Sequence, residues 1–271
     1  MPTLRSAQPS PDLRLFVRAY AQRVFDSLDV PVCEFVPAQL EQVLNFELGT
    51  MPGVRNVWQE ISAHVWIGGA QTTFAGHMEL TPGVESFAVF FQPAGLFQLF
   101  GTPMHETTNR LYDAQAVAGP CMRELWNCLG EQSTFEARVA AMEMFLRRFL
   151  KRALPHDRVT TAAMHLFRHH GAIRIPKLAS RDEISLRQFE RLFRKQTGMS
   201  PKVFARIARF QSAVDAKIVN SEMSWLDIAH SFGYHDQMHM IHDFERLGRT
   251  TPTQLIARLG DVRPPALASE K

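Results

Sequence analysis

Residues 175–201 read IPKLASRDEISLRQFERLFRKQTGMSP, and residues 225–252 read WLDIAHSFGYHDQMHMIHDFERLGRTTP. The second stretch repeats the plan of the first. Leu178-Ala179 is answered fifty residues later by Ile228-Ala229. Each copy then turns, runs through a polar segment, and places a Phe eight residues before a Ser-Pro or Thr-Pro pair: Phe193 to Pro201, and Phe244 to Pro252. A short helix, a tight turn and a longer helix, written twice at this period, is the layout of a tandem helix-turn-helix reader of duplex DNA.

The punctuation inside the repeat supports that layout. Ser185-Leu-Arg-Gln188 has capping-box spacing, in which a hydroxyl accepts from a first-turn amide, and Phe189, Leu192 and Phe193 form the inward face behind it. Gly198 suits a helix C-terminus, and Ser200-Pro201 supplies an N-cap followed by proline at the first helical position. The helix so started is expected to reach about Asn220. Its roughly 20 residues span about 30 Å, close to the roughly 34 Å of one DNA turn, so two reading helices would enter successive major grooves. Ser224 caps the second unit, Gly233 makes its turn, and its reading helix is expected from about Asp236 to Arg246. Upstream, Val159 to His170 reads as a helix closed at Gly171.

The outward residues of each reading helix are the candidates for contact with base edges. In the first unit these are Arg187, Gln188, Arg191, Arg194 and Lys195; in the second they are Gln237, Met238, His239 and His242, with Arg246 at the far end. Arginine forks onto guanine and glutamine onto adenine, while Met238 can meet a thymine methyl. The first set is the more basic and is expected to supply more of the electrostatic affinity. Lys202, Arg206 and Arg209, on the connecting helix, are either phosphate contacts or solvated surface.

Charge follows the same division. Residues 1–150 hold 10 Lys+Arg against 15 Asp+Glu, a net −5; residues 151–271 hold 20 against 12, a net +8. A polyanion partner is thus expected for the second half alone. No apolar run approaches the roughly 20 residues of a membrane span, and the first residues lack a signal-peptide apolar segment. Three scattered cysteines make no disulfide framework. A cytoplasmic protein with reduced thiols is expected.

On these residues the chain resembles the AraC/XylS family of bacterial transcription regulators. The likeness rests on the Leu-Ala turn, SLRQFERLFRKQTGMSP, the connecting helix, DIAHSFGYHDQMHMIHDF and the final Thr-Pro, and it covers about residues 158–258. It implies base contacts at Arg187, Glu190 and Arg191, then at Gln237, Met238 and His242. Glu190 would accept from a cytosine or pair with a neighbouring arginine. The first turn departs from the family pattern, carrying Glu183 after Asp182 where a glycine is usual. The resemblance further implies an N-terminal domain, cupin-like in outline, that senses an effector, pairs two chains, or both.

That half reads as follows. Residues 1–12 are polar and Pro-rich, a loose terminus. Leu13 to Leu28 has helical apolar spacing, with an extended entry segment as the alternative. From Val30, short Val/Phe/Thr/Trp runs punctuated by Gly and Pro predict five or six strands of a small antiparallel sandwich or barrel. The strand over 85–91 is expected to be buried on both faces. Short helices follow from Gly95, then a longer one from Ser133 to Leu154, capped by Ser133 with Glu136 at the third position. Its stripe of Phe135, Val139, Met142, Phe145, Leu146 and Phe149 packs on its own domain or joins two chains. Trp58, Trp66, Phe87, Phe90, Phe91 and Phe97 are either plain core or the walls of an apolar effector pocket.

Other chemistries have weaker signals. His235, His239 and His242 share a helical side, but no carboxylate or cysteine is arranged to complete a metal site. His77-Met-Glu79 lacks the further histidines of a metal-binding cupin enzyme. Cys121 and Cys128 share a helical side, as buried structural thiols or as a redox pair. Motifs of hydrolases, phosphate loops and zincins are missing from the sequence. The fold class expected is α+β: a β-rich sensing or dimerisation domain over 1–154, an all-α double helix-turn-helix domain over 155–260, and a disordered tail over 261–271. The function expected is non-enzymatic transcription regulation without a cofactor, with double-stranded DNA, a small-molecule effector, RNA polymerase and a second copy of the chain as partners. The alternatives are a cupin-type metal enzyme and a partner-binding module that does not touch DNA.

Overall fold

The computed structural model describes residues 3–25, 32–56, 63–175, 178 and 185–259. Trp58, the Glu183 turn and the tail over 261–271 lie outside them. Most of the helix expected over 175–181 does too, although Ile175 and Leu178 are both helical. No described helix is long and apolar enough to cross a membrane.

The fold is α+β. Its first half holds nine described strands: β1 (Thr3–Ala7), β2 (Val17–Val24), β3 (Val32–Val36), β4 (Val43–Glu47), β5 (Gly53–Asn56), β6 (Val65–Gly68), β7 (Gly76–Leu80), β8 (Glu85–Phe91) and β9 (Leu111–Asp113). Six form one antiparallel sheet in the order β1-β2-β8-β4-β6-β9, and three form a second in the order β3-β7-β5. Side chains alternate across the large sheet. Leu44, Phe46, Phe87, Val89 and Phe91 enter a core shared with helices α1 (Gly95–Phe100), α4 (Cys121–Gly130) and α5 (Phe135–Leu150). Two shorter helices, α2 (Met104–Thr107) and α3 (Ala114–Ala118), complete this half.

Three expectations are corrected, and one of two open readings is borne out. Residues 17–24 form a strand, not a helix, because β2 lies inside the sheet between β1 and β8 and is covered on both sides. The terminus is tied down: β1 pairs with β2 from Thr3↔Val24 to Ala7↔Tyr20, and Arg147 binds Asp12 at 2.8 Å. Helix α5 is capped one residue later than expected, with Thr134 accepting from the Ala137 amide at 3.2 Å. The apolar stripe of α5 packs into its own domain, since Phe135, Met142, Phe145 and Leu146 are buried there.

The second half is helical: α6 (Arg158–Arg168), α7 (Leu186–Thr197), α8 (Pro201–Val219), α9 (Trp225–Ser231), α10 (Gln237–Gly248) and α11 (Pro252–Leu259). The expected caps at Ser185, Ser200 and Ser224 form, accepting from the amides of Gln188, Val203 and Asp227. Asp236, expected only as a helix start, also caps, accepting from the His239 amide. Gly171 has φ +70, and a Cβ there would lie 2.0 Å from the Ala205 carbonyl oxygen, so α6 ends against the backbone of α8 only because this residue is glycine.

The two halves share one core. Phe35, Ala38, Leu40 and Ala70 from the β-half are buried in the same cluster as Phe189, Phe204, Phe210 and Phe244. Polar contacts reinforce the junction. The Ala38 amide donates to the Leu247 carbonyl at 2.9 Å, the Leu40 amide to Gln211 Oε1 at 3.0 Å, and Thr108 Oγ1 to the Gly198 carbonyl at 2.8 Å.

Candidate nucleic-acid interface

Helix α7 has a buried and an open side. Phe189, Phe193, Gln196 and Thr197 face inward, while Arg187, Gln188, Glu190, Arg191, Arg194 and Lys195 are all exposed. Glu190 makes no ion pair among the described residues. The C-terminal end of the helix is held by the β-half: Gln42 Nε2 donates to the Thr197 carbonyl at 3.3 Å, and the Lys195 ammonium lies 5.6 Å from the Phe97 ring centre. That contact draws Lys195 toward the other half. The N-terminal turns, with Arg187 and Arg191, stay open.

Helix α10 is built likewise. Met240, Asp243, Phe244 and Leu247 are buried; Met238, His239, His242 and Arg246 are exposed, and Gln237 is half-buried. Asp236 accepts from the His239 amide at 2.7 Å, and this bond, with one to His235, holds its carboxyl below the usual range. Burial pushes the Asp243 carboxyl up, against the pull of Arg206, His239, Arg209 and Arg246. Arg209 lies 5.2 Å from the Tyr234 ring centre. Arg206 and Arg209 are half-buried and brace the second unit, a role outside the two readings their sequence offered; Lys202 is exposed. His235, His239 and His242 are exposed, and no group of three or more His, Cys, Asp or Glu among the described residues could hold a metal ion.

The two reading helices hang from α8, whose 19 residues span about 28 Å. Its buried side carries Phe204, Ile207, Phe210 and Val214. The connecting rod is thus a core element, and the spacing of the units is fixed by packing.

A cavity of about 160 Å³ lies where the two sheets meet the helical half. Trp66 and Phe90 line it, with Phe35 and Met78 opposite and Phe210, Val214 and Leu259 closing it from α8 and α11. Phe87, Phe91 and Phe97 do not reach it. Period-two alternation sends Phe87 and Phe91 into the opposite core with Phe97, so these three are plain core. Two of the lining residues, Asn45 and Trp66, bind Glu47, which is 1% exposed and does not itself line the cavity: its Oε1 accepts from Asn45 at 2.7 Å and from the Trp66 indole at 3.1 Å. Its Oε2 has no partner among the described residues, and burial pushes the carboxyl up to about 7. Cys121 and Cys128 are half-buried free thiols rather than fully buried ones, and Cys33 is exposed.

Sequence reasoning missed the junction residues Gln42, Thr108 and Gln211. They carry no periodicity or motif, and their partners lie 90 or more positions away.

A capped helix pair, α9 and α10, and a second capped reading helix, α7, set on one buried rod follow the layout of a tandem helix-turn-helix domain, the class of domain that binds duplex DNA. Residues 178–258 match the family model described as "Helix-turn-helix domain", and this part of the chain is an AraC-type helix-turn-helix domain. Among solved structures, the chain is similar to a ligand-free point variant of ToxT from Vibrio cholerae strain SCE256, at 9% identity, 93% coverage of this chain, 100% of that chain and a TM-score of 0.49. It is also similar to a 1.65 Å structure of Vibrio cholerae ToxT, at 8% identity, 96% and 98% coverage and a TM-score of 0.44. Comparison with curated proteins gives no match.

Proposed function

We propose that the protein is a sequence-specific transcription regulator that reads two successive major grooves. The observation that carries this reading is the pair of capped helices, α7 and α10, with open outer faces on a common 19-residue rod. Arg187, Gln188, Glu190, Arg191 and Arg194 would meet bases and phosphates from the first unit. Gln237, Met238, His239, His242 and Arg246 would do so from the second. Lys195, drawn toward Phe97, stands at the edge of that surface.

The cavity beside Trp66 and Phe90 is the proposed effector site. A ligand there touches both sheets and the rod that spaces the reading units. Effector control would work through a difference in the ligand's affinity for two arrangements of the halves. Pairing of two chains and contact with RNA polymerase belong to the same reading. With the α5 stripe buried, a dimer would form through another surface.

The test is selection of random duplexes by the full-length protein at about physiological salt, followed by sequencing. Two short enriched elements about one helical turn apart support the reading. Retention without sequence preference would reduce the domain to a general polyanion binder, and no retention would remove the DNA reading.

A further inference from the structure

We propose that a second cleft, lined by no residue of either reading helix, binds a small, multiply charged anion. It lies between the N-terminal segment and α6, has a volume of about 410 Å³, and is lined by Arg14, Arg18, Arg168 and His170 with Gln8 and Gln92. Three guanidinium groups and an imidazole converge there, and no carboxylate lines the walls.

The cations are not equivalent. Arg18 already has partners: it pairs with Glu41 at 3.1 Å and lies 4.7 Å from the Phe167 ring centre. Arg14 gives its Nε to the Pro9 carbonyl at 3.2 Å, which fixes the guanidinium plane without neutralising it. Arg168 closes α6 and, like Arg14, makes no ion pair among the described residues. His170 is tied through Nδ1 to Ser212 Oγ at 2.7 Å, so a ligand in the cleft would meet Nε2. Gln8 and Gln92 add neutral donors. Forked guanidinium donors from two directions suit phosphate or carboxylate oxygens, and the site is too polar for an apolar effector. Separate guanidiniums call for separate anionic groups, so pyrophosphate or a tricarboxylate should bind better than a monovalent ion.

The position gives such an anion a role. Arg14 and Arg18 belong to the β-half, Arg168 and His170 to the start of the helical half. His170 also touches α8 through Ser212 and meets the Phe232 ring, in the turn of the second unit, edge-on at 5.3 Å between ring centres. A bound anion would join the N-terminal segment to the spacing rod and to the second unit's turn. It would do so without entering the apolar cavity proposed for the effector.

The test is calorimetric titration of the full-length protein with inorganic phosphate, pyrophosphate and citrate, repeated on an Arg14→Gln/Arg168→Gln variant and on an Arg187→Gln/Arg191→Gln control. Both positions in the cleft are exposed, and matching circular dichroism melts would establish that the variant folds. A lysine pair at the same positions retains the charge if it does not. Pyrophosphate or citrate should bind at least tenfold more tightly than phosphate. The cleft variant should lose at least tenfold in affinity, the lysine pair should recover part of it, and the control should match the parent. Loss of anion binding in the control alone would assign the anion to the reading surface and overturn the proposal. So would the absence of measurable binding. If the cleft variant lost only duplex affinity, the cleft would belong to backbone phosphates, and the free-anion proposal would equally fall.

Discussion

The side-chain amide of Gln211 donates to Glu41 Oε2 at 2.6 Å, joining the rod between the reading units to the loop before β4. The Gln211 carbonyl accepts the Leu40 amide in return. One glutamine therefore satisfies a buried acceptor and a buried donor of the other half. Replacing it with Leu keeps the bulk and leaves both groups unpaired at a site 7% exposed. We expect Gln211→Leu to cost roughly 2–4 kcal/mol, two desolvated groups at about 1–2 kcal/mol each, read from chemical denaturation of the full chain.

Arg187→Ala and Arg191→Ala should each weaken binding to a selected duplex by about 1–3 kcal/mol and relax the base preference at one position. Arg209→Ala, by contrast, should lower stability, since that side chain packs on Tyr234. Filter binding across a salt series separates these effects. Log affinity should fall linearly with log salt for the parent, and a flat response would count against the basic surface.

Glu47 gives a pH dependence of definite sign. Its carboxyl is raised to about 7 in the fold, from an ordinary value of 4.5. Between those values the folded state holds a proton that the unfolded chain has released. Stability is therefore fullest below about pH 4.5 from this group, and is lost as pH rises to about 7, by on the order of 3 kcal/mol. Glu47→Gln removes the titration, so the variant should gain on the parent in melting temperature from pH 5 to pH 8. An equal loss in both proteins would place the titration elsewhere.

Two glycines with nearly the same backbone angle should respond differently to alanine. Gly171 and Gly233 have φ +70 and +69, but a Cβ at Gly171 meets the Ala205 backbone at 2.0 Å while one at Gly233 meets nothing within 4 Å. Gly233→Ala should cost about 1 kcal/mol of backbone strain. Gly171→Ala should cost roughly 2–4 kcal/mol, with overlap added to the strain. Thermal melts of the pair check the difference.

Local chemistry made the helical half legible. Ser185, Ser200, Ser224 and Asp236 announce helix starts because a short polar side chain can reach a first-turn amide. The β-half was harder where burial erased the pattern. Leading into and along β2, Leu13, Val17, Tyr20 and Val24 fall at three- and four-residue steps, which a strand covered on both faces tolerates and a helix would require. The pocket was half legible. A run of phenylalanines marks an apolar site, but only strand pairing decides that Phe90 faces the cavity and Phe87 faces away. The junction was not legible at all: a lone Gln211 or Thr108 declares nothing until its distant partner is in place.

The shared core also bears on how the protein can be taken apart. Phe35, Ala38, Leu40 and Ala70 fill a socket in the helical half, so a cut near Pro155 would leave that socket open to water. A sensing half taken from another protein would have to bring an equivalent plug. The two halves are thus parts of one machine cast together, and the helical half is no cassette to be clipped onto a new sensor.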